Sequence, residues 1–437
     1  MRKLYSKFFL MGALMLALGS AHAATGKGEA KHEGVASCAG GTCHGATAPL
    51  GDHGIRQDEY FIWQKQDVHG KAYLALAGEK SRQIGLRMGL DPLRASSCLS
   101  CHTETVPEHL RGERFLSSDG IGCEACHGPA GHWLAEHTKP GISLAEKESI
   151  GMRPTWKPQV RAQLCLSCHQ GDAQHPITHA MMAAGHPPIL FELDTFTTLQ
   201  PPHYDRDADY AKRKGVQNPS RDWALGQVTA AQQFLQGISS GRLGSAMFPE
   251  LMNFDCAACH HSMTAGRVTP GRTGAMPGGT VPLADTQLHW VGLWLQVMAP
   301  QTAEQWQKSW LALQSASGQS PAAVRAAASR MLGLLNGGVM PLALSQSPNT
   351  AQLQRLLDSI GALGRSSRAG DFATAQQAAM ASVVMVNSLQ ASGAGGDAAT
   401  RKAIDALYAS VKSPDSFVMA DYHRALASVA AAAHGSN

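Results

Sequence analysis

Beyond its first 23 residues the chain has no apolar run approaching the ~18–20 residues that a membrane-spanning helix needs. Charge of one sign is scarce too. The 437 residues carry a formal excess of only +4, and Arg2, Lys3 and Lys7 in the opening stretch supply three of those charges. Without them the balance falls to about +1, which gives no electrostatic case for binding nucleic acid or an anionic membrane. The opening "MRKLYSKFFLMGALMLALGSAHA" itself has a basic start, an apolar run from Phe8 to Leu18 and a small-x-small end at Ala21-His22-Ala23. It reads as a secretory signal peptide, residues 1–23, cleaved before Ala24. No cysteine follows the cut to carry a lipid anchor. The expected product is exported, most simply to a bacterial periplasm.

An unpaired cysteine is also lacking. The ten cysteines are Cys38, Cys43, Cys98, Cys101, Cys123, Cys126, Cys165, Cys168, Cys256 and Cys259. They fall into "CLSCH", "CEACH", "CLSCH" and "CAACH", with a longer-spaced "CAGGTCH" at the front. A histidine follows every pair: His44, His102, His127, His169 and His260. Disulfide chemistry asks for no histidine after each second cysteine. Structural zinc does not use that adjacent position, and a redox dithiol needs one pair, not five. C-x-x-C-H is the attachment sequence of c-type haem. The two thiols add to the haem vinyl groups, and the next imidazole becomes an axial ligand of the iron. The longer motif does the same if its loop bulges, which Gly40-Gly41 permit. Five covalently bound haem c groups are expected.

Sixteen of the 20 histidines lie between the leader and residue 262, and five of these follow cysteines. Eleven remain for at most five distal positions, an excess that points to bis-histidine iron of low potential. The 17 methionines read as packing residues rather than ligands.

"GIGCEACHGPAGHWLAEH", with "DEYFIWQKQDVHGKAY" upstream, resembles the cytochrome c-554 family of multihaem electron carriers over roughly residues 35–180. The resemblance implies that His137 ligates the first haem opposite His44, and that His69 ligates the third opposite His127. The chain departs from the family in its fifth motif, its longer first motif and its C-terminal extension. In "HPITHAMMAAGHPPILFEL", His179 and His186 are seven apart on one helical face, and Gly185 and Pro187 break the helix so that they can aim at different irons. Both are candidate distal ligands. His203, His53 and His261 compete for the remaining place. His132 reads as a partly exposed or propionate-bonding residue, and His32, His109 and His175 as solvent histidines.

The expected fold is mainly α with little strand: a multihaem cytochrome c domain built around its haems, then an α-helical bundle. Residues 24–34 read as a flexible lead, 35–265 as the pentahaem domain, 266–284 as a Gly/Pro-rich linker and 285–437 as the helical domain. Within the haem region, Asn218 as N-cap, Pro219, and Ala224, Val228, Ala231 and Leu235 on one face predict a helix covering haem faces. Beyond the linker, Thr302 with Gln305 suggests a capping box and Ser320-Pro321 a second helix start. Leu353, Leu356, Leu357, Ile360 and Leu363 make a 3.6-period stripe. Five or six helices are expected there, with no catalytic motif. The haem region has too few apolar runs to fold around itself, so folding should depend on the cofactor.

The expected function is electron transfer between redox proteins, such as a quinol-oxidising membrane cytochrome and a terminal reductase. The alternative is an enzyme in which the iron on His102 keeps an open position and reduces a small nitrogen or sulfur compound. Arg94, Glu104 and Glu108 lie near that motif, though as surface or propionate partners they need no catalytic role. No lysine-ligated variant of the motif is present. A third reading is a subunit of a larger haem assembly, docked through the helical bundle.

Overall fold

The computed structural model describes residues 28–49, 55–242, 244, 249–260, 280–364, 372–394, 397–413 and 416–435. The expected signal peptide, most of the linker, His53 and His261 lie outside them. The described chain is mostly helical, and its only β pairing is three isolated bridges. No helix among the described residues is long and apolar enough to cross a membrane.

The N-terminal half consists of short helices and turns laid around the cysteine motifs. Three motifs end helices, at Ser96–His102, Cys123–His127 and Pro158–Leu166, the last running on into a π-turn over Ser167–Gly171. One helical turn puts both thiols of a C-x-x-C pair on the same side, with the histidine just beyond them. The first motif is a tight loop instead: the His44 N–H donates to the Cys38 carbonyl at 3.2 Å and the Cys43 N–H to Gly40 at 2.8 Å. Gly45 closes that loop, because a Cβ there would sit 2.0 Å from the Ala39 carbonyl.

Residues 28–34 are not a loose lead. The His32 N–H donates to Leu110, and the Gly131 N–H to Lys31. Buried Glu124 accepts from the N–H groups of Glu33 at 2.9 Å and Gly34 at 2.7 Å. His32 pairs with Glu104 rather than with solvent. These anchors join residues 70 or more positions apart, and no local motif marks them.

The long helix Pro219–Ser239 is capped by Asn218, whose Oδ1 accepts from the Arg221 N–H at 2.9 Å. Its role differs from the expected haem cover. Fifteen of the 19 residues from Ser220 to Ile238 are buried, and the helix packs against 158–166 and 193–199 of the haem region and against 286–298, 321–334 and 372–391 of the C-terminal helices. Eight of its residues, among them Trp223, Val228, Leu235 and Ile238, belong to one core cluster with the C-terminal helices, and Ala230 packs toward Ala162 and Leu166. The helix is therefore the central member of the bundle as well as its joint with the haem region.

Eight α-helices lie between Thr286 and Gly435 among the described residues, more than the five or six expected. The leucine stripe is there: Thr350–Leu363 buries Leu353, Leu356, Leu357 and Ile360. Ser320 caps Pro321–Leu334 through the Ala323 N–H. Thr302 is no cap, because the helix Pro300–Ser317 starts two residues earlier at Pro300, where the fixed φ of proline favours a first helical position. Apolar burial is unevenly shared. The large core begins at Trp223, whereas the haem region contributes one small cluster of Ala162, Leu166, Leu193 and Ala230.

Candidate functional site

Every histidine that follows a cysteine pair faces a second histidine drawn from elsewhere in the chain. The ring centres are 6.2 Å apart for His44 and His137, 6.4 Å for His102 and His186, and 6.5 Å for His127 and His203. They are 6.2 Å apart for His169 and His69, and 6.1 Å for His260 and His179. An imidazole nitrogen lies about 2 Å from a metal it binds, so two rings on opposite sides of one metal have centres roughly 6 Å apart. All five pairs meet that requirement, and each pair sits beside its own two thiols. The donor set fits covalently held haem with two axial imidazoles.

One of the two pairings the family resemblance implied is overturned. His69 stands against His169 rather than His127, and His203 takes the place against His127. The physical reason lies in the turn Asp67–Lys71. Asp67 Oδ1 accepts from the His69 N–H at 3.0 Å and lies 2.8 Å from its Nδ1, while Gln200 Nε2 donates to Oδ2 at 3.0 Å. These bonds aim the ring toward His169. Half-buried His203, in the segment between helices Leu193–Leu199 and Ala208–Lys214, fills the remaining face. His137 does face His44, with the rings near parallel at 13°.

The thiols set the order of the sites. Cys38 meets Cys123, and Cys101 meets Cys168. Cys126 lies close enough to Cys165 to feel its charge. Four motifs are thus strung in the order 38/43, 123/126, 165/168, 98/101. Cys256 and Cys259 of the fifth motif are exposed.

Groups behind the rings fix their tautomers. His44 Nδ1 is 3.0 Å from Glu59 Oε2. His102 Nδ1 bonds the Ala72 carbonyl at 2.9 Å, His137 Nδ1 that of Trp133 at 3.0 Å and His186 Nδ1 that of Pro187 at 2.8 Å. In each case Nδ1 is held and Nε2 is left to face the partner ring, an arrangement typical of metal-bound histidine. Burial pushes His127 down to about 3 and His169 down to about 4, so both are neutral, the ligating form, at pH 7. Burial alone would raise the Asp67 carboxyl. The bonds from His69 and Gln200 outweigh it and hold the group at about 2.

Sequence reasoning missed these supporting groups. Glu59, Asp67 and Arg153, which donates to the carbonyls of Ala125 and Cys126, carry no motif. The other histidines stand apart from the pairs: His132 bonds the Gly28 carbonyl, His175 pairs with Asp172, and His109 is exposed near Glu29.

The sequence model of the family described as "Cytochrome c554 and c-prime" matches residues 37–128, which include three of the five motifs. These motifs make the chain a multihaem c-type cytochrome, similar over that region to the cytochrome c-554 family. The cytochrome is similar to cytochrome c-554 of Nitrosomonas europaea, 26% identical over 157 residues, which cover 32% of this chain and 58% of that protein. It is also similar to the multiheme cytochrome MtrA of Shewanella baltica, 34% identical over 89 residues, covering 18% of this chain and 25% of the relative. The cytochrome thus spans a quarter of one relative's length and rather over half of the other's. No solved structure matches. The family implies covalently bound haem c.

Proposed function

We propose that this cytochrome is an exported pentahaem electron carrier, working in the periplasm between a quinol-oxidising membrane cytochrome and a terminal reductase. The observation that carries the reading is the set of five facing imidazole pairs at 6.1–6.5 Å. Bound haem would supply one-electron chemistry, and a facing imidazole pair would leave it no ligand to exchange. The residues do the rest. Cys38, Cys43, Cys98, Cys101, Cys123, Cys126, Cys165, Cys168, Cys256 and Cys259 attach the groups. His44, His102, His127, His169 and His260 would each hold one iron, together with the histidine that faces it: His137, His186, His203, His69 and His179 respectively. Glu59 and Asp67 keep negative charge behind two of those ligands, which favours the oxidised metal.

What supports a carrier over an enzyme is His186, which faces His102 where the enzyme reading needs an open position. Low-temperature electron paramagnetic resonance of the oxidised protein, with and without nitric oxide, tests this. Low-spin signals alone, unchanged by nitric oxide, are expected. A high-spin iron that binds nitric oxide would overturn the carrier reading.

A further inference from the structure

One short segment serves two haem sites at once. Between residues 175 and 187 the chain presents His179 to His260 of the fifth motif and His186 to His102 of the second. The two ends are held by different parts of the molecule. At the first end the His179 N–H donates to Glu250 Oε1 at 2.8 Å. The same oxygen accepts from the Met252 N–H at 3.0 Å, and Asn253, three residues before Cys256, bonds both the Glu250 and the Arg242 carbonyls. Arg242 in turn donates to the Gly171 carbonyl at 3.2 Å, just ahead of the segment. At the other end Arg87 Nη1, from the helix Glu79–Met88, donates to the Ala184 carbonyl at 2.9 Å.

Between these clamps there is little slack. The helix His179–Ala183 is a single turn, and the His186 N–H donates back to the Met181 carbonyl at 3.1 Å. The reversal depends on Gly185 at φ +104°, where an added Cβ would also meet Arg87 Nη1 at 2.9 Å. Met181 and Ala184 are buried beneath the turn. Moving His179 therefore moves His186.

We infer that His179 and Glu250 are positioning residues for His186: seating His179 in the fifth site closes the sixth coordination position at His102, and an empty fifth site lets it open. This rests on the pentahaem reading and deepens it. The second site becomes a latent binding place for a small neutral ligand such as carbon monoxide or nitric oxide, kept shut by the fifth. The segment has two arrangements, and fifth-site occupancy biases it toward one of them.

Carbon monoxide binding to the reduced protein tests the inference, with intact mass as a separate count of haems. Wild-type protein is expected to carry five haems and bind almost no carbon monoxide. His186→Ala is expected to keep five haems and bind one carbon monoxide per chain, which gives the reference spectrum for the His102 site. A Cys256→Ala/Cys259→Ala variant is expected to carry four haems and to bind carbon monoxide with that same spectrum, at least about tenfold above wild type. A four-haem protein that binds no more than wild type would overturn the inference, and so would a His186→Ala protein that binds none. Should the four-haem chain not fold, Glu250→Ala and Arg87→Ala retain every haem attachment. Raised binding in Glu250→Ala supports the coupling; wild-type binding in Glu250→Ala overturns it, whether or not Arg87→Ala, which loosens the His186 end directly, binds more. A wild-type mass showing fewer than five haems would instead count against the pentahaem reading itself.

Discussion

Asp67 stands directly behind His69, with Oδ1 2.8 Å from Nδ1, and its other oxygen is occupied by Gln200. A carboxylate in that position makes the ligand more basic and favours the oxidised metal. Asp67→Asn keeps the shape and removes the charge. It is expected to raise the midpoint potential of one haem by tens of millivolts, where ~60 mV corresponds to a tenfold change in a one-electron equilibrium. A spectroelectrochemical titration that resolves the haems checks this: one step should move and the rest should stay.

The planes of the facing imidazoles differ from pair to pair. His44 and His137 lie 13° apart, whereas His69/His169, His102/His186 and His127/His203 lie at 79°, 79° and 83°. Parallel planes split the iron d orbitals strongly and give a rhombic low-spin spectrum, and crossed planes give a highly anisotropic one. The oxidised protein should show both classes. His137→Ala should remove the rhombic component belonging to His44 and leave the crossed-plane signals in place.

The five cysteine–histidine motifs are legible because thioether chemistry demands a fixed local spacing. The histidines that face them are legible only in part, since each comes from a distant point in the chain. His179 and His186 stood out because a glycine and a proline bracket His186. His69 faces His169 rather than His127, because its aim is set by the Asp67 turn and Gln200, 133 residues away from Asp67. The helix Pro219–Ser239 was placed by its cap and period, but nothing in its own sequence says that both of its sides would be covered. Asn218 marks where a helix starts and says nothing of what it packs against.

That central helix makes the two halves of the molecule depend on each other. Trp223 is fully buried and meets Trp290 edge-on, with ring centres 6.4 Å apart. Trp223→Ala is expected to cost about 3–5 kcal/mol. Since the helix also packs on Pro158–Leu166, which leads into the fourth motif, haem absorbance and far-ultraviolet circular dichroism should show the lowered transition together. A haem-region transition that stays at the wild-type temperature would contradict the shared core.

Glu192 caps the helix Leu193–Leu199 from a fully buried position, accepting from the N–H groups of Asp194 and Thr195 at 2.8 Å each. Burial outweighs these bonds and pushes the carboxyl up from 4.5 to about 7. The folded state then holds a proton that the unfolded chain releases. This contribution to stability is complete below pH 4.5 and is lost as pH rises to about 7, roughly 3 kcal/mol at most. Neighbouring Asp194, raised to about 6 by burial and by Asp222, acts with the same sign. Denaturant titrations across pH 4.5–7 should show a steeper fall for wild type than for Glu192→Gln.

The most direct test of the account is the intact mass of the exported protein, made in a host competent for cytochrome c maturation and paired with a haem-to-protein ratio from absorbance. The account predicts a red protein whose mass equals the processed polypeptide plus five haem groups, with no free thiol. A colourless product at the mass of the bare polypeptide, its cysteines free or bridged to one another, would contradict it.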